Sequence, residues 1–302
     1  MKHLSATGTA LHVAAALVIG AATASAAPII TTLTTDQADI LIPAVQASGG
    51  SGLSNIGGQT FVGIANQSGT YTNFVLAPSS GSSPTLELPD GVLLTSGNAN
   101  LPLTNTVNQF DGSLGTAGDD DLSDLSASAG GTNVTNDANF ISFTFEVAPE
   151  NNAVQAFFVF GTDEFPTQSV TDIFGFFVDG VNYAKFPNGD LISNTPGNPT
   201  NFIDNPVGAG LYDIEYNGLT RVLKVVGLLD PLLSTHTVKI AIADTSDTIF
   251  DSGVFIGGLS ATFAEDGGIV DPEDPNVPEP TTLTLLGLAI AGGCVRLRRR
   301  QQ

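Results

Sequence analysis

"FISFTFEV" (residues 140–147) is the stretch on which the fold turns. Ile141, Phe143, Phe145 and Val147 alternate with Ser142, Thr144 and Glu146. A period of two places the apolar set on one face of a strand, whereas a helix would scatter it around the axis. The next two apolar runs break the alternation. "AVQAFFVF" (153–160) and "DIFGFFVD" (172–179) are apolar at nearly every position. Strands of that kind are covered on both faces, in the middle of a sandwich or against a second layer. Phe157, Phe158, Phe160, Phe174, Phe176 and Phe177 are expected to form one aromatic heart.

Further strands follow on either side. "NYAKF" (182–186), "TRVLKVVGL" (220–228), "HTVKIAIAD" (236–244) and "GVFIGGLSATF" (253–263) lie downstream, and "GVLLTSG" (91–97) lies upstream. "GGQTFVGI" (57–64) and "TYTNFVL" (70–76) flank a short turn, as in a hairpin. One helix is predicted, in "TTDQADILIPAVQASGG" (34–50). Thr34 and Gln37 make a capping box there, Ala38, Leu41, Ile42 and Val45 give a stripe, and Pro43 kinks or shortens it. Residues 98–139 are rich in Gly, Asn and Asp without periodicity, and "GDDDLSDL" (118–125) within them reads as a loop. About ten strands and one short N-terminal helix predict a mainly β protein, a β-sandwich of jelly-roll type.

The two ends have a different character. "MKHLSATGTALHVAAALVIGAATASAAP" has an early lysine, an apolar stretch from Leu11 to Ala22, and small residues at Ala24 and Ala26. That is the pattern of a signal peptide over 1–26, cut by signal peptidase after Sec export. At the other end "VPEPTTLTLLGLAIAGGCVRLRRRQQ" (277–302) joins an apolar run to an arginine cluster. The fifteen residues from Thr281 to Val295 span about 22 Å as a helix, short of the ~30 Å hydrocarbon core. Such a peg inserts transiently if Arg296, Arg298, Arg299 and Arg300 pin its cytoplasmic end as a stop-transfer signal. A permanent C-terminal anchor is the other reading. Residues 264–276 read as an acidic, proline-rich linker between the β domain (27–263) and this tail (277–302).

Charge and composition exclude several functions. The chain carries nine basic and thirty acidic residues; only four basic ones, Lys185, Arg221, Lys224 and Lys239, lie within 27–280, against all thirty acids. That segment carries −26, which repels nucleic acid and attracts cations. Cys294 is the single cysteine, so no disulfide framework and no cysteine nucleophile exist in the body. His236 is the only histidine outside 1–26, and it reads as a core-edge residue on the parity of Val238, Ile240 and Ile242. A zinc site built from several His or Cys is excluded by count. No G-x-S-x-G, P-loop or dinucleotide fingerprint occurs. No catalytic residues are assigned, and the chain is read as a non-enzyme. It requires no cofactor.

Carboxylates are the remaining chemistry. Asp163 and Glu164 follow one buried strand, Asp172 precedes the next, and Asp244, Asp247 and Asp251 bracket a late turn. Hard cations such as Ca²⁺ take six to eight oxygens from loop carboxylates and carbonyls. Asp163, Glu164, Asp172, Asp244 and Asp251 are the candidate calcium ligands, with Asp119, Asp120 and Asp121 as a second acidic cluster. A pair of carboxylates is also the equipment of a glycoside hydrolase, but nothing in the sequence fixes their separation, and no Trp is present to stack on sugar rings.

Several of these stretches in this order resemble the bacterial choice-of-anchor L domain: "DGVLLTSGNA" (90–99), "GDDDLSDL", "NDANFISFTFEV" (136–147), "FVFGTDEFPTQSVTDIFGFFVDG" (158–180) and "KIAIADTSDTIFDSGVFI" (239–256). The match covers about 33–263. "GTDEF" stands where a serine-glutamate-glutamate-tyrosine version is more usual, so Phe165 lacks the hydroxyl. The resemblance implies a secreted or surface-held domain joined to an anchoring tail, and no known activity. The tail resembles the PEP-CTERM sorting signal, with Val277, Pro278, Glu279 and Pro280 as the processing motif. That implies an exosortase-like sorting enzyme as partner. Together these imply an exported protein of the cell surface or extracellular matrix, in a Gram-negative-type envelope. The reading is a structural or adhesive protein of an exopolysaccharide or biofilm system, with a carbohydrate-binding module as the alternative.

Overall fold

The computed structural model describes residues 27–35, 38–81, 83–166, 172–193, 199–208 and 210–270. The signal peptide, Gln37 of the capping box and the C-terminal tail lie outside them. The elements in chain order are β1 (Ile29–Thr32), α1 (Ala38–Val45), β2 (Leu53–Val62), β3 (Ser68–Thr72), β4 (Phe74–Leu76), β5 (Leu86–Leu88) and β6 (Gly91–Thr95). Then come α2 (Asp120–Ser128), β7 (Thr135–Val147), β8 (Ala153–Thr162), β9 (Ile173–Val178), β10 (Val181–Asn182), β11 (Ile203–Asp204) and β12 (Gly218–Leu219). The last are β13 (Leu223–Leu228), β14 (His236–Thr245), β15 (Ser252–Thr262) and β16 (Gly268–Val270).

Two antiparallel sheets face each other. One has nine strands, running β1-β3-β6-β15-β8-β12-β11, with β13 also on β8 and β16 on β13; the other has five, β10-β9-β14-β7-β2. The main core lies between them. Ile141, Phe143 and Phe145 of β7 point into it, as the alternation requires, and β14 supplies Val238, Ile240 and Ile242 opposite them. Phe158 of β8 meets Phe174 of β9 across the gap, ring centroids 5.1 Å apart. The fold is therefore a mainly β sandwich, as the sequence predicts.

The doubly apolar strands have a cover on each outer face. Phe255, Val159 and Leu93 leave the nine-stranded sheet on its far side and pack with Tyr71, Phe74, Tyr212 and Tyr216, partly under the β4–β5 hairpin. Ile173, Phe177, Ala241 and Ala243 leave the five-stranded sheet on its far side and pack under Leu122 of α2. The six phenylalanines thus divide among three apolar clusters rather than forming one heart: Phe158, Phe160, Phe174 and Phe176 lie centrally, Phe177 lies under α2, and Phe157 packs on the outer cluster. One cluster per layer boundary is what four stacked layers demand.

Three expectations are corrected. The 57–64 and 70–76 runs are not a hairpin: β2 pairs with β7, and β3 pairs with β1 and β6 in the other sheet. The "GDDDLSDL" loop is a helix. Asp119 sits in extended backbone, its carboxylate accepts from Leu122 N, and Asp120 and Asp121 occupy the first turn, where negative charge meets the exposed amides. The stretch expected as linker contributes β16, whose Gly268–Val270 pair with Lys224–Val226 of β13. α1 itself is as predicted: eight residues with Pro43 inside, burying Leu41, Ile42 and Val45.

Candidate functional site

At one end of the sandwich five strand ends meet. β6 runs out into Ser96 and Gly97, β8 into Asp163 and Glu164, and β14 ends through Asp244 and Thr245; β15 starts after Asp251 and β9 after Asp172. The register fixes the meeting. Thr162 pairs with Ser252 inside the nine-stranded sheet, and Ala243 pairs with Ile173 inside the five-stranded one. Asp244 and Asp172 are the next residues along, on the parity of core residues Ile242 and Phe174, and so turn inward between the sheets. All five candidate carboxylates gather here and are buried: Asp163 at 3% exposed, Glu164, Asp172, Asp244 and Asp251 at 1% each.

Their hydrogen bonds sort them into two kinds. Asp163 is fully engaged, accepting from the backbone N–H groups of Phe110 and of Asn217 (3.1 Å). Glu164 accepts from Asp172 N at 2.9 Å. Asp172 Oδ2 accepts from Ser96 Oγ at 3.1 Å, while its Oδ1 has no hydrogen-bond partner. Asp251 Oδ2 accepts from Asn98 N at 3.3 Å, and its Oδ1 is unpartnered. Neither oxygen of Asp244 receives a hydrogen bond from a standing donor. It lies within hydrogen-bonding reach of the Asp172 carboxyl and of Ser96, so only a proton held on one carboxyl can join the two acids.

Burial raises the pKa of every member, because the charged form loses its water. Asp163 rises to about 7 despite its two amide donors, and Asp251 rises to about 6 against the amides of Gly112 and Asn98. Glu164 and Asp244 are pushed far higher, by burial first and then by the neighbouring Asp172 carboxylate. Asp172 also rises with burial, opposed by Ser252, Asp244 and Ser96. The Ser252 hydroxyl stands near Asp172 without a hydrogen bond of good geometry.

A second role of buried carboxylates was not foreseen. Residues 98–118, without helix or strand, are fastened by their main chain to acids of the sandwich. Asn98 N reaches Asp251; Thr106 and Val107 N reach Glu215; Phe110 N reaches Asp163; Leu114 and Thr116 N reach Asp137. Glu215 and Asp137 are fully buried. No sequence pattern marks them, because an isolated acid looks the same whether it faces water or accepts two amides. Asp119 and Asp121 take no part at this end: they bind Lys239 Nζ at 2.6 and 2.7 Å beside α2. His236 lies at the core edge as expected, 6% exposed, its Nδ1 2.8 Å from Asp179 Oδ2.

Among the described residues no three acidic, histidine or cysteine side chains are grouped closely enough to chelate a metal by themselves. Outside the acidic end, a cleft of about 470 Å³ opens between α2 and the 185–193 segment, lined by Ser126, Ser128, Lys185, Asp190, Ser193 and Thr245 among others. The choice-of-anchor L domain family model matches residues 30–262. The chain belongs to the choice-of-anchor L family. The PEP-CTERM protein-sorting motif matches residues 276–300, immediately behind the choice-of-anchor L domain. Comparison with curated proteins and with solved structures returns no match. The chain is accordingly an exported protein with a C-terminal sorting signal, recognised by exosortase-type machinery and directed to the cell envelope or surface. The acidic end lies within the matched range: "TSGNA" carries Ser96 and Gly97, "GTDEF" carries Asp163 and Glu164, and "IAD" and "DSG" carry Asp244 and Asp251.

Proposed function

We propose that this protein is a non-enzymatic structural or adhesive module of a bacterial exopolysaccharide or biofilm matrix, held at the surface of a Gram-negative-type envelope after processing at Val277, Pro278, Glu279 and Pro280. The observation that carries this reading is the pairing of a choice-of-anchor L domain (30–262) with a sorting motif (276–300). The acidic end supports it. Its carboxylates are buried, and Asp163 and Asp251 are engaged in holding the 98–118 segment, which is the work of a scaffold. A hydrolase needs its acid and base exposed to substrate and water. Deleting residues 277–302 and fractionating the producing cells tests it: the surface-held protein is expected in the medium or stalled in the envelope, and unchanged surface retention overturns the reading.

A carbohydrate-binding role is the second reading, and the cleft beneath α2 favours it. Its hydroxyls, Lys185 and Asp190 suit a sugar's hydroxyl groups, and its size suits a short glycan segment. Saturable binding on a glycan array, lost in Lys185→Ala, supports it; a flat array counts against it.

A further inference from the structure

Asp244 carries two buried carboxylate oxygens without a standing donor, and Asp172 and Asp251 carry one each. The three atoms of Asp172 and Asp244 lie at one end of the gap between the sheets, while Asp251, on the parity of Phe255, stands on the outer side of the nine-stranded sheet. Buried charges are paired, protonated or bound to a metal, because an isolated one costs several kcal/mol or more. Among the described residues no lysine, arginine or histidine pairs with these acids; His236 binds Asp179, and Lys239 binds Asp119 and Asp121.

We propose that Asp172 and Asp244, with the Ser96 hydroxyl that contacts Asp172, form a buried divalent-cation site that ties the two sheets together, and that the cation is of the hard, calcium type. Two carboxylates supply the charge that neutralises a divalent ion. Ser96 continues from β6 of the nine-stranded sheet, while Asp172 and Asp244 end strands of the five-stranded sheet, so one ion would bridge both. All donors are oxygens, which selects Ca²⁺ or Mg²⁺ over metals that prefer nitrogen and sulfur. Asp251, with one oxygen unpartnered, adds to the negative field. In this proposal Asp163 and Glu164 are not ligands: Asp163 is occupied by two amides, and Glu164 accepts from the Asp172 amide. The proposal does not rest on the surface role.

The test uses the full-length chain, dialysed against chelator and titrated with calcium chloride at pH 8 and fixed ionic strength. Calorimetry is expected to show saturable binding, and calcium at one hundred times Kd to raise the melting midpoint by about 5–10 °C. Asp244→Asn is expected to weaken binding at least tenfold while melting, without calcium, no lower than wild type, since an amide replaces a buried charge and can donate to Asp172. Asp190→Asn, at the cleft rim, is expected to keep full binding. Absence of heat with an unchanged midpoint overturns the site and leaves a shared proton as the answer. Undiminished binding by Asp244→Asn places the ion elsewhere and overturns it equally. Should Asp244→Asn not fold, Ser96→Ala serves: weakened binding supports the site, and unchanged binding overturns it.

Discussion

Asp172 and Asp244 face each other one residue beyond the last paired couple of β9 and β14, Ile173 and Ala243, inside the sandwich and within reach of the same serine, Ser96. Like charges opposed on neighbouring strands destabilise a sheet even at its surface. Here both acids are buried, so the fold's stability is tied to what neutralises them.

The first prediction concerns pH. Asp251 and Asp163 titrate near 6 and 7 in the fold, against an ordinary value of 3.8. A folded pKa above the unfolded one means stability fully present below about pH 4 and lost as pH rises through 6 to 7. In chelator, the urea midpoint is expected to be higher at pH 5 than at pH 8. Asp251→Asn is expected to flatten that slope, since its amide oxygen can still accept from Asn98 and Gly112. A midpoint that rises from pH 5 to pH 8 in chelator contradicts the burial of these acids.

Gly97 lies against the same group. A Cβ built on it would fall 1.8 Å from Asp251 Oδ2. The carboxylate is held by the Asn98 and Gly112 amides and cannot step aside freely. Gly97→Ala is expected to cost about 2–4 kcal/mol in urea unfolding. Combined with Asp251→Ala the penalty should shrink, because the clash has gone.

Lys239 fastens α2 to the five-stranded sheet. Its Nζ binds Asp119, the α2 cap, and Asp121, and stands 4.4 Å from the Phe140 ring centroid. Lys239→Met keeps the stem and removes the charge. About 1–2 kcal/mol of destabilisation is expected, more than an exposed pair would give, because Asp119 is left buried and uncompensated. Hydrogen exchange should accelerate across residues 120–128 and little elsewhere.

Processing leaves a mass signature. The surface-held form is expected to lack residues 1–26 and to end near residues 277–281, which removes both Met1 and Cys294. Mass spectrometry reads this directly, and recovery of Cys294 from the surface fraction would mean a retained anchor.

How far the sequence carried the fold follows from what periodicity encodes. Ile141, Phe143 and Phe145 announce a strand with one buried face, and the Phe-rich runs announce strands covered twice; both are local properties. Strand partnership is not local. β2 and β3 look like a hairpin because a period of two is the same in either sheet, yet the chain crosses between sheets at residues 63–67. α2 was legible and missed: Asp119 followed by Asp120, Asp121 and the Leu122/Leu125 pair is a capped helix start, outweighed by the loop-like composition around it. The five candidate acids were found together because each sits at the end of an apolar strand. Ser96, Asp137 and Glu215 escaped, since their burial depends on residues far away in the chain.

The segment 98–118 is gripped by its amides, and that leaves its lettering open. Val107, Asn108 and Gln109 are exposed while the Val107 N–H rests on Glu215 and the Asn108 carbonyl accepts from Asn217. Main-chain groups are common to every residue but proline, so the acids beneath hold a path through space and are indifferent to the side chains projecting from it. Evolution can therefore rewrite these outward positions one at a time without disturbing the sandwich, and the domain offers its surroundings a face whose chemistry can diversify over an unchanging frame.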